Sequence, residues 1–313
     1  MNFLSFFILI FKKNLSPNFF LFFVMMSIVF LLLLSFTLNI MDLTINANTA
    51  VKKYQFTKLE KSSGDIQTIL LGDSSGGNSV VASYFEKYSG KRTESFYLTG
   101  SYGIIGSYGI LKKVYSKNNQ LKNVIIIHTQ DIWSRSFPIE ASIQLQNYSS
   151  AIKEIGINQY LGYFFNFKEI SWHLKYFLKE KKIKNVFHDD YIIQDQKKYS
   201  NRKLIYNNNF TLNNIKINYD KISELDLLQD FCINKRLNCI FVHGPLHEDY
   251  AKNSKLFSKI FEKEILPKFR IQYLENIFSY PNYMMGDTME HVDPNFKETV
   301  TKNYYDLLKD KLI

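Results

Sequence analysis

The sequence predicts a three-layer α/β protein, in which a parallel sheet carries helices on both faces and follows one N-terminal transmembrane helix. Three observations predict this architecture. A long apolar segment lies near the N-terminus, short apolar runs alternate with amphipathic stretches in the rest of the chain, and 46% of the 313 residues are hydrophobic and 22% charged. Such alternation is typical of parallel sheets. The apolar content excludes wholesale disorder.

The apolar segment predicts a membrane anchor over residues 1–42, with a span of about 19–41. Phe19 to Leu38 is an uncharged run of 20 residues, which as a helix covers the roughly 30 Å hydrocarbon core of a bilayer. The apolar region of a cleaved signal peptide is shorter, at about 7–15 residues. We therefore expect an uncleaved, single-pass anchor in the cell membrane.

The charges around this segment predict its orientation. Lys12 and Lys13 precede it, Asp42 follows it, and the next lysine along the chain is Lys52. Positive charge favours the cytoplasmic side of a membrane. We therefore expect the N-terminus to lie in the cytoplasm and the remaining chain to lie outside it.

After the anchor we expect a polar linker at 43–65 and one catalytic domain at 66–313. The clearest predicted strand, Val124–Ile127, is apolar, β-branched and bounded by polar residues, which is typical of a strand buried on both faces. The stretch 138–219 is rich in Tyr, Phe, Lys and Asn and breaks the alternation, so we interpret it as an insertion or lid. The predicted strands are Thr68–Leu71, Ser95–Leu98, Val124–Ile127, Cys239–Val242 and Ile271–Leu274; the predicted helices are Ser79–Tyr88, Ile104–Tyr115, Glu169–Glu180, Glu224–Lys235, Tyr250–Leu266 and Asn295–Leu312.

Composition limits the partners and the metal chemistry. Lys and Arg number 39 against 29 acidic residues, a net charge of +10 that suits an anionic surface but does not by itself indicate nucleic acid, which we do not expect as a partner. Two cysteines, Cys232 and Cys239, exclude a disulfide-rich scaffold, and we expect them to be a free buried pair. His243 and His247 have Pro245 between them, which argues against one helical face binding a metal. We expect no metal and no cofactor.

The turn after the first strand carries the first candidate for chemistry. It reads Gly72-Asp73-Ser74-Ser75 and leads into a predicted helix. Ligands of open α/β sheets bind at the carboxyl ends of the strands, and a serine on a tight strand-to-helix turn presents its hydroxyl near helix N–H groups. The alternative is that these residues form only a turn and a helix cap.

Two further polar segments follow later strands. Gln130, after the third strand, has an amide that can donate to a developing oxyanion. Near the C-terminus His291 lies a few residues from Asp287, which is the pairing of base and orienting carboxylate that a serine nucleophile needs. Each segment alone is also explained by a polar loop or a helix-capping loop. Their order, each at a strand end, favours a shared site.

The order and spacing of these segments resemble the SGNH or GDSL-type hydrolases, whose fold is a flavodoxin-like α/β/α sandwich. The Gly-Asp-Ser turn is similar to their first block, in which the serine, here Ser74, is the nucleophile. Their second block is a glycine that donates a backbone N–H to the oxyanion, for which Gly100 is the first candidate and Gly103 the second. Their third block is Gly-x-Asn-Asp, and this chain has His128 and Gln130 in place of the glycine and the asparagine.

The last block of that family, Asp-x-x-His, implies the rest of a catalytic triad. In this chain Asp287 stands four residues before His291 rather than three, and Thr288 holds the usual place. Asp287 reaches the histidine if the loop bulges by one residue. Glu290 and Asp293 are the alternative orienting carboxylates.

An anchored domain of this kind resembles bacterial proteins that modify surface polymers, such as the D-alanyl transfer protein of lipoteichoic acid synthesis and the acetyltransferases of alginate-like exopolysaccharides. The resemblance implies a serine esterase or O-acyltransferase that acetylates or deacetylates a cell-surface polysaccharide, beside a multi-pass membrane acyltransferase. Two alternatives stay open. One is an anchored lipase or esterase with the same triad, and the other is a non-catalytic scaffold with this fold.

Overall fold

The computed structural model describes residues 17–40, 47–62, 64–145, 148–164, 187–188, 191–192, 211–275 and 277–313. These residues belong to two compact units. The first unit contains 17–40 and 156–164, and the second contains the other described residues. The helix predicted at Glu169–Glu180 lies outside the described residues.

The described residues form the following strands and helices. The strands are β1 (Thr68–Gly72), β2 (Thr93–Tyr97), β3 (Asn123–His128), β4 (Phe187–His188), β5 (Tyr191–Ile192), β6 (Asn238–His243), β7 (Leu246–His247), β8 (Gln272–Leu274) and β9 (Ser279–Tyr280). The helices are α1 (Pro17–Ile40), α2 (Ala47–Lys61), α3 (Ser74–Gly77), α4 (Ala82–Ser89), α5 (Gly103–Lys117), α6 (Ile139–Leu145), α7 (Tyr148–Ile155), α8 (Ile157–Phe164), α9 (Asp220–Asn234), α10 (Glu248–Asn253), α11 (Lys255–Glu264) and α12 (Lys297–Leu308).

A five-stranded sheet is the centre of the second unit, with the order β2-β1-β3-β6-β8 and every pair parallel. This confirms the prediction of an α/β fold around a parallel sheet. The five predicted strands are present, and their ends differ from the predicted ends by at most two residues. The single helix predicted at Tyr250–Leu266 is instead divided at Ser254 into α10 and α11.

Helices cover both faces of this sheet. β3 is buried along its whole length, as its β-branched sequence predicts. Successive strand residues point to opposite faces. Ile127 packs against Gly76 of α3, whereas the ring of the next residue, His128, hydrogen-bonds to Ser107 of α5 at 2.9 Å.

The C-terminal residues close the amino ends of β3 and β6. The side-chain amide of Asn123 donates to the Ile313 carbonyl at 2.9 Å and accepts from the Ile313 N–H at 3.0 Å. Asn238 donates to Asn123 at 2.9 Å and to the Lys311 carbonyl at 2.6 Å. The buried amide of Asn123 is therefore satisfied by contacts distant in sequence.

The range predicted as a linker contains a helix, which is a correction to the sequence analysis. α2 buries Val51 and Leu59 in the core of the second unit. The Gln55 side chain donates to the Tyr97 carbonyl at 2.9 Å and so joins α2 to the end of β2. The helix was missed because its sequence is mostly polar, and its few core-facing residues give little periodic signal.

The predicted insertion at 138–219 is divided between the two units. α6 and α7 belong to the second unit, where Ala141, Leu145 and Ala151 are buried. α8 belongs to the first unit and contacts α1 there. The backbone of β5 lies against α3 within the second unit.

α1 agrees in position with the predicted membrane span. Its first 18 residues have a mean hydropathy of 2.4, and by length and composition it is the one helix of the described chain that is suited to cross a bilayer. The hydroxyls of Ser27 and Thr37 donate to the Phe23 and Leu33 carbonyls, each at 2.8 Å. These polar side chains are thus satisfied within the helix itself.

Cys232 and Cys239 form a disulfide, so the expectation of a free pair is wrong. The Leu237 N–H donates to the Cys232 carbonyl at 2.9 Å, which turns the chain between α9 and β6. The turn brings the two Cα atoms to 6.1 Å, within the range that a disulfide bridges. Sequence spacing alone did not reveal this turn.

Candidate active site

The turn after β1 exposes one serine and buries the next. Gly72 has a φ of 140°, and a Cβ there would lie 1.7 Å from the Ile127 carbonyl oxygen, so only glycine fits. Asp73 caps α3, because its Oδ1 accepts the Ser75 N–H at 3.0 Å and the Ser75 hydroxyl at 2.7 Å. Ser75 is buried, whereas Ser74 is partly exposed. Ser74 is therefore the serine whose hydroxyl can meet a substrate.

A buried pair of side chains joins this turn to β3. Asp73 Oδ2 lies 3.2 Å from His128 Nδ1 and accepts the Thr129 N–H at 3.1 Å. Burial opposes the charge of Asp73, but the hydrogen bond and charge of His128, together with the Ser75 hydroxyl, hold its pKa below the usual range. Both carboxylate oxygens of Asp73 thus take part in hydrogen bonds, and these bonds fix the turn that carries Ser74 and Ser75.

The loop before α12 brings the predicted base and its orienting carboxylate together. His291 Nδ1 lies 2.9 Å from Asp287 Oδ1. The loop is closed by a hydrogen bond of 2.7 Å from the Gly286 N–H to the His291 carbonyl and by a bridge between Met285 and Val292. A carboxylate only accepts, so it fixes the histidine proton on Nδ1 and leaves Nε2 to take a proton.

The two alternative carboxylates have other contacts. Asp293 is buried and caps the turn at 294–296, where its Oδ1 accepts the Asn295 N–H at 3.0 Å. Glu290 faces the charges of Asp131 and Arg135 at the end of β3. Of the three candidates, the geometry favours Asp287 as the residue that orients His291.

The predicted nucleophile, Ser74, and the predicted base, His291, are carried by neighbouring segments, but they are not bonded to each other. Lys297, at the start of α12, donates to the Gly77 carbonyl of α3 at 3.4 Å, and Thr301 accepts the Val81 N–H at 3.0 Å. α12 therefore docks on the segment that carries Ser74. Across the described part of the chain, no hydrogen bond joins Ser74 to His291. Catalytic hydrogen bonds are often long or unformed without substrate.

A guanidinium that the sequence analysis missed lies over the predicted oxyanion glycine. Arg135 pairs with Asp131 through two of its nitrogens, with the shortest N–O distance at 2.8 Å. A Cβ on Gly100 would lie 1.7 Å from Arg135 Nη1, so the guanidinium packs directly on this glycine. Burial opposes its charge, but Asp131, Asp73 and Glu290 raise the pKa of Arg135. The i, i+4 spacing of an acid and an arginine after the third strand was the available signal.

Glu290, in the loop that carries His291, interacts electrostatically with Asp131 and Arg135. Burial and the negative charge of Asp131 raise the pKa of Glu290 to about 8, with a further contribution from Asp73. The residue is partly exposed, but its carboxyl group is enclosed by protein. Burial also raises the pKa of Asp131, against the attraction of Arg135. Glu290 therefore keeps its proton to a higher pH than an exposed glutamate does.

The other two predicted oxyanion donors, Gly103 and Gln130, have different surroundings. A Cβ on Gly103 would meet the Glu224 carboxylate at 2.9 Å and the Lys221 ammonium at 3.1 Å, so Gly103 packs on a buried ion pair. Gln130 is buried and lines a small cavity together with His243. Neither Ser74 nor His291 lines this cavity.

The two histidines at and after the end of β6 have separate partners. His243 accepts from the Trp133 indole at 3.1 Å and lies 3.0 Å from the Tyr273 hydroxyl. His247 caps α10, where its Nδ1 accepts the Asp249 N–H at 3.2 Å. Among the described residues, no group of three or more His, Cys, Asp or Glu side chains is arranged to hold a metal ion.

The chemistry that this edge of the sheet can support follows from its side chains. It has an accessible serine, a histidine whose Nδ1 proton is held by a carboxylate, and a guanidinium over a glycine. Such groups suit nucleophilic attack on a carbonyl with proton transfer. No family model matches the chain, and neither does any curated protein.

Proposed function

We propose that this chain is a membrane-anchored serine O-acyltransferase or esterase of the SGNH type, which modifies a cell-surface polysaccharide outside the cytoplasm. Ser74 is the nucleophile, His291 is the general base, and Asp287 orients the base. The observation that carries the proposal is the 2.9 Å contact between Asp287 and His291. It lies in the loop before α12, and α12 docks on the segment that carries the partly exposed Ser74.

The reaction passes through an acyl-enzyme. Ser74 Oγ attacks the carbonyl carbon of an ester while its proton passes to His291 Nε2, and the electron pair of the C=O π bond moves to the oxygen. Asp287 stabilises the imidazolium that forms. The tetrahedral intermediate then collapses, the C–O bond to the leaving alcohol breaks, and that oxygen takes the proton from His291.

The negative charge that develops on the carbonyl oxygen requires hydrogen-bond donors. We assign this role to the backbone N–H groups of Ser74 and Gly100, and the Arg135 guanidinium adds positive charge. Loss of one such donor typically costs about 2.7–4 kcal/mol of barrier. Gln130, the third donor predicted from the sequence, lines a cavity that Ser74 and His291 do not line, so we do not assign its amide to this step.

The second half of the reaction sets the outcome. A sugar hydroxyl or a water attacks the acyl carbon while His291 Nε2 takes its proton; the bond from that carbon to Ser74 Oγ then breaks, and Ser74 Oγ takes the proton from His291. Attack by the sugar hydroxyl gives transfer, and attack by water gives hydrolysis. The surface polysaccharide as substrate and the multi-pass acyltransferase as partner follow from the resemblance and the anchor, and an activity assay with acetylated glycans is their first test.

Two observations support an extracytoplasmic location. Lys12 and Lys13 precede the apolar helix, which favours a cytoplasmic N-terminus. The disulfide between Cys232 and Cys239 is of a kind that persists in oxidising compartments and is rare in the cytosol.

A second candidate function is a non-catalytic scaffold with this fold. It is favoured by the missing hydrogen bond between Ser74 and His291 in the described structure. An anchored lipase has the same triad, and cleavage of long-chain nitrophenyl esters against release of acetate from acetylated sugars separates it from the proposed function.

Covalent labelling tests the proposal. Purified full-length protein is treated with a fluorophosphonate probe, which reacts with activated serines, and the labelled residue is located by mass spectrometry. We expect labelling at Ser74, its loss in Ser74→Ala, and a loss of at least about 10³-fold in rate in His291→Ala, since nucleophile and base act as a unit. A folded wild-type protein that takes no label supports the scaffold instead.

A further inference from the structure

A small cavity lies at the β6–β8 side of the sheet, in the second unit. Its volume is about 80 Å³. Phe257, Phe261 and Leu266 form an apolar wall, and Gln130, His243 and Tyr273 supply polar atoms. The volume exceeds the roughly 10–15 Å³ that one water needs. It is far below the roughly 300–1,000 Å³ of pockets that enclose a whole small molecule. The cavity therefore suits one substituent of a larger ligand.

A chain of hydrogen bonds fixes Tyr273 as a donor. The Trp133 indole N–H only donates and lies 3.1 Å from His243 Nε2, so that nitrogen accepts. Burial lowers the pKa of His243 to about 3, so the ring is neutral and its one proton is on Nδ1. Nδ1 donates to the Tyr273 oxygen at 3.0 Å. Burial, with the charges of Glu275 and Glu262, raises the pKa of Tyr273, so its own O–H stays protonated and points away from His243.

Gln130 supplies a second donor. Its side chain is buried, with 2% of the residue exposed, and its Nε2 has no hydrogen-bond partner among the described residues. A buried amide donor without an acceptor costs free energy, and nearly all such groups in folded proteins are paired. An acceptor oxygen brought by a ligand satisfies this group.

We propose that the cavity binds an acetyl group carried by a glycan. The carbonyl oxygen accepts from the Gln130 amide and the Tyr273 hydroxyl, and the methyl group packs against Phe257, Phe261 and Leu266. Glu262 and Glu275 also line the cavity and are exposed. Their negative charges disfavour a carboxylate and favour a neutral carbonyl. The choice of a glycan as the carrier of the acetyl group rests on the proposed function, whereas the cavity itself uses neither Ser74 nor His291.

Ligand-observed NMR tests the proposal with full-length protein in detergent micelles. The probes are N-acetylglucosamine, 6-O-acetylglucose, glucose and sodium acetate, and Ser74→Ala protein prevents turnover of the O-acetyl ester. We expect saturation transfer to the acetyl methyl group of at least one acetylated sugar and none to glucose or acetate. The two acetylated sugars distinguish an N-acetyl from an O-acetyl source. Equal binding of glucose, or no binding of either acetylated sugar, overturns the proposal, whatever the labelling of Ser74.

Variants locate the binding site. Gln130→Leu and Tyr273→Phe each remove one donor, and each should weaken binding of the acetylated sugar about five- to tenfold. Tyr283→Phe, at an exposed position outside the cavity, is the matched control. Leu266→Trp, from a partly exposed position, fills the cavity and should abolish binding even if a polar variant fails to fold. Unchanged affinity in folded Leu266→Trp overturns the assignment to this cavity.

Discussion

The Arg135 guanidinium fills the space in which a side chain at Gly100 would have to lie, since a Cβ there would come 1.7 Å from Nη1. Asp131 holds the guanidinium by bidentate hydrogen bonds to its other two nitrogens, Nε and Nη2. A positive charge is thus fixed over the residue that is the predicted oxyanion donor. Charge-assisted donors of this kind are stronger than neutral ones.

Gly100→Ala is expected to displace Arg135 and to lower kcat/KM for an acetyl ester by about 10²-fold, the effect of one lost oxyanion donor. The added methyl group meets the end of a flexible side chain rather than backbone, so the melting temperature should change by only about a few degrees. Gly162→Ala, where nothing lies within 4 Å, is the control and should leave both quantities unchanged. An unaltered rate in Gly100→Ala places Gly100 outside the site.

The identity of the orienting carboxylate is tested by three single variants. Asp287→Ala should lower kcat by about 10²-fold or more, but by less than Ser74→Ala, because the orienting residue contributes less than the attacking pair. Glu290→Gln should keep most of the rate. Asp293→Asn should keep the rate as well, and its effect should be confined to about 1 kcal/mol or less of helix-cap stability, measured by urea unfolding. A silent Asp287→Ala with a large effect of Glu290→Gln contradicts the assignment.

Glu290 makes the free energy of unfolding depend on pH. Its pKa is about 8 in the folded protein and about 4.3 in an unfolded chain. Between these values the folded state keeps a proton that the unfolded state releases, so the free energy of unfolding falls as pH rises and levels off above about 8.

Glu290→Gln, which is neutral at every pH, should remove this decline. Thermal melting is expected to show nearly equal stability of the variant and the wild type near pH 4, and a more stable variant at pH 9. Glu60→Gln, at an exposed position of α2, is the control and should follow the wild type at both values. Parallel pH profiles for Glu290→Gln and the wild type would show that Glu290 is not the responsible group.

The disulfide predicts a measurable loss of stability on reduction. The bridge joins residues seven apart, and closing so short a loop contributes about 2–3 kcal/mol in the chain-entropy description. The double variant Cys232→Ser, Cys239→Ser should therefore unfold at lower urea concentration. Protein isolated without reductant should resist alkylation by iodoacetamide, and alkylation of both cysteines in native, unreduced protein would contradict the bridge.

The expected orientation of the chain in the membrane is tested with reporter proteins fused after Ser63. A phosphatase that is active only after export should be active there, and a reporter that works only in the cytoplasm should be inactive. The physical reason is that Lys12 and Lys13 precede the apolar helix and positive charge favours the cytoplasmic side of a membrane. The reverse pattern removes the extracytoplasmic location from the proposed function.

The sheet was predictable from the sequence because its strands carry their own signal. β3 is apolar, β-branched and buried on both faces, so its local sequence alone indicates a central strand. α2 was not predictable, because its contact through Val51 and Leu59 depends on the core that it meets rather than on its own pattern. The disulfide depended on a turn that the spacing of the cysteines does not specify.

The candidate site was predictable only where its contacts are local. Asp287 and His291 are four residues apart, and the pairing predicted from sequence is present. The packing of Arg135 on Gly100 and the placement of Glu290 near Asp131 join distant segments. Such contacts depend on how the strand ends and the loop before α12 meet in the folded protein, which no single segment encodes.

The hydrogen bonds between Asn123 and Ile313 can form only after the whole chain has been synthesised. They join positions 190 residues apart. At roughly 5–20 residues per second, the ribosome needs roughly 10–40 s to reach the second partner after making the first. During that interval the amino ends of the central strands have no C-terminal segment to close them. Folding of the sheet therefore cannot be completed during this interval, although its apolar strands have already been synthesised. A chaperone that binds the incomplete chain should raise the yield of folded protein.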